Sequence, residues 1–572
     1  MPNPLFYAST FHTLLGCIGQ FLGTALTIRV FALLLLVVQF CHIERAAKQT
    51  GVSRFVAIVV ATVVSWQGYQ MVNLYERSDL TEFTALACLT CSLSCLFVLC
   101  LRVAKGERDP YGLIATGVFY GLAALTHPLT GLFGGILLVA LGLSALLVLK
   151  SGRFLLFGVL NSLALSCLLS PWLYVVLQFG KVIHVADPTA NAYGFREVYV
   201  ASTLGRALTS ALSPISGPFN NGLDPSGYPV INVQISLALL VYSILTLAVL
   251  RRCSRRCARP EVLLGTFLGL SYVVFVISLL VFCVPKCSTL FGSLFDIMQF
   301  SYRLAAYVNL ALMLCLLCMF GLIDQAKLRS QGWIATVWKW AAIGAFVLAA
   351  IGLCSKTIVI ESSSHFGPGT QSIGDFLRMM HSAIRADGYW SPGSPAVDTV
   401  HLNELPVTFD CASDYDVPSA FATNHSELNG LPAYGAFFQP GTTFGEVNPI
   451  KVSLANPTLL ITNVTPFPWN AIYLDEKRLP CSKLFPVPDT PGLPRPSSMV
   501  LALRAEPGRH VLRYEFRPEW LWLYLRGLSW LVLVAWTASW VGVIANSLLA
   551  RKPATSPAES SVVPNPVRAT VV

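Results

Sequence analysis

The stretch Phe83–Leu101, FTALACLTCSLSCLFVLCL, carries no charge, and it is bounded by Glu82 on one side and Arg102 on the other. An uninterrupted apolar run of this length is what a helix needs to cross the hydrocarbon core of a bilayer. It also contains no Pro or Gly to end the helix, so the reading is a membrane span rather than a buried segment of a soluble domain. Working outward, similar runs recur at 23–43, 55–73, 111–127, 130–149, 154–178, 234–250, 261–284, 304–323, 337–354 and 527–549. The expectation is a polytopic α-helical membrane protein with about eleven spans. At His127-Pro128 the pattern breaks, because proline has no N–H to donate and the helix cannot continue through it. Spans 111–127 and 130–149 are therefore expected to form a tight helical hairpin.

Composition supports this class. Of 572 residues, 54% are hydrophobic and only 12% charged, about half the charge of an ordinary soluble domain. The net charge of +10 would suit nucleic acid, but its distribution does not. Basic residues sit in short clusters between apolar runs, such as Arg251, Arg252, Arg255, Arg256 and Arg259, as expected of loops facing anionic headgroups. A nucleic-acid partner is excluded on that ground, and membrane lipid is the expected one.

The clusters also set an expected orientation. Arg45, Lys48 and Arg54 follow the first span, Arg102, Lys105 and Arg108 the third, Lys150 and Arg153 the fifth. The arginine cluster follows the seventh, Lys327 and Arg329 the ninth, Arg551 and Lys552 the last. By the positive-inside rule every odd span ends in the cytoplasm. The N-terminus, the loops 179–233 and 285–303 and the segment 355–517 are then expected outside. The domains follow as a helical membrane part over 1–354, an extracytoplasmic domain over 355–517, a closing helix over 518–550 and a disordered cytoplasmic tail over 551–572.

The extramembrane segment reads as a small mainly-β domain. Lys451–Ala455, Thr458–Thr462, Trp469–Leu474, Met499–Arg504 and His510–Phe516 have strand composition, with turns at Asp475-Glu476-Lys477 and Glu506-Pro507-Gly508. Short strands at this spacing with Gly/Pro punctuation suggest a sandwich. Most of the 16 cysteines lie in apolar segments, among them Cys88, Cys91, Cys95 and Cys100, and are expected to pack between helices. Cys411 and Cys481 lie in the outer domain, where an oxidising compartment would allow a disulfide.

Ionisable residues at or within spans are costly and so mark candidate sites. Glu76, Arg77, Asp79 and Glu82 crowd the turn before the third span. They suit acid–base work or binding of a cation or headgroup; the alternative is a solvated hairpin with a local ion pair. His127 closes the fourth span and suits proton transfer or phosphate contact, or else caps the hairpin through carbonyls freed by Pro128. Arg303 opens the ninth span, where a guanidinium can hold a phosphate bidentately or snorkel to lipid. Nucleotide-binding and hydrolase motifs are missing from the sequence. No cofactor is evident, although the carboxylates leave a divalent cation possible.

Taken in order, these motifs resemble a bacterial family, the 6-pyruvoyl-tetrahydropterin-synthase-related membrane proteins, grouped with the GT-C superfamily of polyprenyl-phosphate-sugar glycosyltransferases. The matching pieces are Pro2-Asn3-Pro4-Leu5-Phe6-Tyr7, Glu76-Arg77-Ser78-Asp79-Leu80-Thr81-Glu82, Leu125-Thr126-His127-Pro128 and Met298-Gln299-Phe300-Ser301-Tyr302-Arg303. In the outer domain they are Pro466-Phe467-Pro468-Trp469 with Asp475, and Pro507-Gly508-Arg509-His510. Ser78 stands where the family has glycine, and Ser301 where it has proline. The resemblance implies a bacterial plasma-membrane protein that transfers sugar from a polyprenyl-phosphate carrier at the outer leaflet. It implies Glu82, Asp79 and His127 as catalytic groups and Arg77, Gln299 and Arg303 as substrate ligands. In such enzymes the main carboxylates lie in a first outer loop ahead of the Pro-Leu-Phe-Tyr region. Here that region begins at Pro2, so the expectation is a chain shortened by one span and its acidic loop. A non-catalytic subunit of envelope polysaccharide assembly and a lipid or solute transporter are the alternatives.

Overall fold

The computed structural model describes residues 9–75, 80–179, 259–283, 303–325, 431–440, 447–464, 467–488 and 499–549, with 337, 340 and 344. Expected spans 234–250 and 337–354, the motif at Pro2–Tyr7, Cys411 and the tail fall outside the described residues, the last two wholly and 337–354 in all but three positions.

The helices are α1 (Ser9–Leu22), α2 (Thr24–Gln49), α3 (Arg54–Ser65), α4 (Gly68–Tyr75), α5 (Leu80–Ala104), α6 (Pro110–Thr126), α7 (Pro128–Leu149), α8 (Gly152–Phe179), α9 (Arg259–Cys283), α10 (Leu304–Gln325) and α11 (Trp520–Leu549). Among the described residues, six helices are long and apolar enough to cross a membrane, and three shorter apolar helices accompany them. α5, the stretch that decided the fold, is the centre of the bundle. It is buried on all sides from Thr81 to Leu101 and packs against α2, α4, α6 and α7. Its cysteines are buried with it, as expected of small packing residues.

The outer helices turn apolar side chains away from the bundle. Leu33, Leu34 and Val37 of α2, Val139, Leu143 and Leu147 of α7, and Leu156, Leu160 and Leu163 of α8 are all exposed. Their spacing of three and four forms stripes along the helix surface. Contiguous apolar surface of this extent is unfavourable in water and suits lipid. A membrane location follows from this arrangement.

Two departures from the expected spans are local. α1 precedes the first span and is separated from α2 by Gly23, whose φ of 78° is reached most readily by glycine. The span expected at 55–73 is two helices, with Trp66 and Gln67 between α3 and α4. The hairpin expected at His127-Pro128 is present. α7 starts on Pro128, and Gly131 lies so close to α6 that a β-carbon there would meet the Ala124 α-carbon at 2.6 Å.

Before α11 the chain forms β1 (Ala433–Ala436), β2 (Gln439–Pro440), β3 (Val447–Asn448), β4 (Ile450–Leu454), β5 (Thr458–Thr462), β6 (Asn470–Leu474), β7 (Lys477–Arg478), β8 (Phe485–Pro488), β9 (Met499–Ala505) and β10 (Gly508–Phe516). Sheets β1-β5-β9-β8 and β4-β10-β6-β7 share a core of Val452, Leu460, Ile472, Leu501, Leu503 and Leu512. This is the expected sandwich, with β1 added parallel to β5. The turn after β6 is a two-residue hairpin in which Asp475 and Glu476 both have positive φ, 50° and 63°, the type I′ signature.

The sandwich stands on the helices through aromatic packing. Phe179 at the end of α8 meets Phe467 and Trp469 edge-on, at 5.1 and 5.3 Å between ring centroids. Trp469 in turn contacts Trp522 of α11 at 5.4 Å. Tyr174 of α8 donates a hydrogen bond to Glu519, just before α11. The β domain thus packs on the end of α8 and the start of α11.

Candidate functional site

The sequence singled out three separate clusters, and two of their charged residues meet. Glu82 sits in the first turn of α5, where a carboxylate is favoured by the helix dipole. Arg303 immediately precedes α10. Its Nε lies 3.6 Å from Glu82 Oε2, an ion pair longer than a hydrogen bond. Glu82 is 2% exposed and Arg303 7%. Arg303 therefore turns inward onto a carboxylate of the bundle instead of snorkelling outward to lipid.

Tyr307 follows Arg303 by one helical turn, so the two share a face of α10. It is buried and lies beside Thr130, within electrostatic reach of Glu82, Arg303 and Tyr120. Its ring also packs on Phe133 of α7, with centroids 5.9 Å apart. Thr130 leads on to His127, whose Nδ1 is 2.7 Å from Thr130 Oγ1 and accepts the Thr130 backbone N–H at 3.3 Å. An Nδ1 that accepts carries no proton, so the ring's hydrogen is on Nε2. His127 thereby caps the N-terminus of α7, accepting an orphan N–H. The sequence-based alternative had it capping by donation to freed carbonyls; the direction is reversed because Pro128 occupies the first helical position.

The result is a carboxylate, a guanidinium, a phenol and an imidazole converging at one end of the bundle from α5, α10 and the α6–α7 hairpin. Arg77, Asp79 and Gln299 lie outside the described residues. Among the described residues no group of three His, Cys, Asp or Glu side chains is placed to hold a metal ion. Tyr307 and Thr130 were not singled out from sequence. The available signal was Tyr307 lying four residues beyond Arg303, on the same helical face.

The opposite end of the bundle holds a second polar group that the sequence reading divided among loops. Asp109, 3% exposed, accepts from Arg45 at 3.0 Å on both oxygens and from the Gly112 N–H at 3.1 Å, with Arg102 at 3.7 Å. Arg45 also lies over the Tyr111 ring at 4.4 Å, and the Tyr111 hydroxyl meets His42 Nε2 at 2.7 Å. Asp109, Arg45, Tyr111 and His42 each have a close partner here, while among the described residues Arg102 Nε reaches only Glu107, at 3.9 Å; the arrangement fits a clamp between α2, α5 and α6. In the β domain, Asp475 and His510, flagged separately, form a pair with Nδ1 2.7 Å from Oδ2.

Cys481 is exposed and not disulfide-bonded in this structure. Comparison with protein-family models, with curated proteins and with solved structures finds no match to this chain.

Proposed function

We propose that this chain is a GT-C-like integral membrane glycosyltransferase of the bacterial plasma membrane, acting on a polyprenyl-phosphate-linked sugar at the outer leaflet. The observation that carries this reading is the inward-facing pair of Glu82 and Arg303, buried where α5 and α10 begin. A guanidinium binds phosphate bidentately through its planar fork. Glu82 neutralises Arg303 at 3.6 Å, and an arriving phosphate would take its place. Glu82 would then be released next to the sugar-bearing carbon, where a carboxylate can accept the acceptor's proton. Tyr307 and Thr130 border that position and offer hydroxyl groups to the sugar.

The test is reconstitution of the full chain in liposomes with a radiolabelled polyprenyl-phosphate sugar. Release of the lipid phosphate with label on an acceptor supports the proposal, and Arg303→Ala should abolish it. Binding of the donor without turnover would instead indicate the non-catalytic subunit. A second reading, a transporter, draws on the interrupted helix α3–α4, since discontinuous helices line transport sites. Movement of intact donor across the bilayer, with its phosphosugar bond unbroken, would favour it.

A further inference from the structure

The segment Arg54–Tyr75 has the length of a span but is broken inside the bundle. α3 ends at Ser65, and Trp66 N–H still bonds the Thr62 carbonyl at 3.0 Å. A new ladder then starts, with the Gln70 and Met71 N–H groups both on the Gln67 carbonyl. The last turn of any α-helix has carbonyls without an intrahelical donor, and here those belong to Val63, Val64 and Ser65. All three residues are buried, at 2%, 1% and 1% exposure. Water is therefore not the ready partner it is at a surface helix end.

Two side-chain oxygens sit at the same break. Ser65 Oγ and Gln67 Oε1 are buried and have no hydrogen-bond partner among the described residues. Gln67 is 2% exposed. The nearest amide along α4 is already committed, because Gln70 and Gln39 of α2 exchange two hydrogen bonds at 2.8 and 3.1 Å. That reciprocal pair holds the break in place against α2. Buried polar oxygens are ordinarily satisfied, and two left over beside helix-end carbonyls make an oxygen-lined position that a cation can fill. Among the described residues the set is all oxygen and lacks a carboxylate. Divalent cations ordinarily recruit carboxylates, whereas broken-helix carbonyls with neutral side chains suit a dehydrated monovalent ion.

We propose that the break between α3 and α4 binds an alkali cation, held by Ser65 Oγ, Gln67 Oε1 and the last carbonyls of α3. The site is separate from the Glu82–Arg303 pair and does not depend on the sugar-transfer reading. It gives the helix break a purpose, since the ion would bridge the two half-helices.

The test is thermal unfolding of the purified full chain in detergent, in sodium, potassium or choline chloride at matched ionic strength. Tm is expected to rise and saturate with one or both alkali ions and to stay flat in choline. The ion with the lower half-saturation concentration is the one the site prefers. Ser65→Ala should raise that concentration several-fold, and Gln67→Leu should remove the response. Equal Tm in the three salts would overturn the proposal, as would unchanged half-saturation in the folded variants. Should Gln67→Leu fail to insert, Ser65→Ala, which keeps the break intact, decides the matter alone.

Discussion

Glu82 and Arg303 face each other at 3.6 Å, their side chains only 3% and 9% exposed, between the first turn of α5 and the start of α10. Both have given up most of their hydration, so removing one takes from the other its opposite charge at 3.6 Å. Truncating one member of such a pair costs about 3–5 kcal/mol. Arg303→Ala and Glu82→Gln are therefore expected to lower Tm in detergent, Arg303→Ala the more, because glutamine still offers Arg303 an acceptor. The double variant Glu82→Gln/Arg303→Met removes both charges together and should recover much of the loss. Sugar transfer should stay absent in all three. Transfer that returned along with stability in the double variant would make the pair structural only.

Arg303→Lys separates charge from shape. A lysine restores the positive charge opposite Glu82 but presents a point charge in place of a planar fork. Stability near that of the wild type with transfer at least tenfold reduced is the expected outcome. Full activity would mean that no bidentate phosphate contact forms there.

His127 is expected to act first through its cap. His127→Ala removes the acceptor of the Thr130 N–H and should cost about 1 kcal/mol of stability. Asparagine is a strong N-cap residue, so His127→Asn should restore that stability. Donor turnover by His127→Asn then reports on the imidazole itself. A rate equal to wild type would remove His127 from the reacting groups.

How much of this was legible in the sequence depends on the range of each interaction. Thr458–Thr462 was read to the residue because a β-rich run between loop signals is a local pattern. β1 was not, since Ala-Tyr-Gly-Ala has little strand character and is held by its parallel partner β5. Glu82, His127 and Arg303 were each visible through the cost of polar groups in a span. Their convergence was not, because it depends on how α5, α7 and α10 pack. Arg45 and Arg102 were read only as inner-loop charges that set the orientation, which their positions after spans favour. Their shared partner Asp109 is 64 residues from Arg45, and no local pattern announces it. The break at Trp66-Gln67 escaped for another reason. No proline marks it, and the run on both sides is apolar enough to continue a helix.

Orientation can be tested on residues the structure displays. Cys481 is exposed on the β domain, and Glu107 is exposed between α5 and α6 at the other end of the bundle. If the β domain is extracytoplasmic, an impermeant maleimide applied to intact cells should label Cys481. A cysteine introduced by Glu107→Cys should react only after permeabilisation. The reverse pattern would invert the expected topology and move the Glu82–Arg303 end to the cytoplasmic leaflet.

Acid should loosen the β domain at one identifiable point. Asp475 is partly buried, which by itself raises its pKa, but hydrogen bonds from the His510 ring and the Val511 N–H outweigh burial and hold it below the ordinary aspartate value. The fold therefore favours the ionised carboxylate. A lowered folded pKa contributes stability that is complete above the unfolded value of about 3.9 and is lost as pH falls through the folded value. The His510 ring also reaches the Glu506 carbonyl at 2.8 Å through Nε2, so Asp475 secures the connection between β9 and β10 as well as its own hairpin. Half of its side chain is exposed, at 48%, and solvent screening keeps the contribution small. The measurement is Tm of the full chain against pH for wild type and Asp475→Asn. Asparagine keeps the size and an acceptor oxygen but has no proton to lose. The two curves should lie apart near neutral pH, with wild type higher, and converge on acidification below about pH 4. Parallel curves throughout would show that Asp475 has the same affinity for protons folded and unfolded, and that the His510 contact adds nothing to stability.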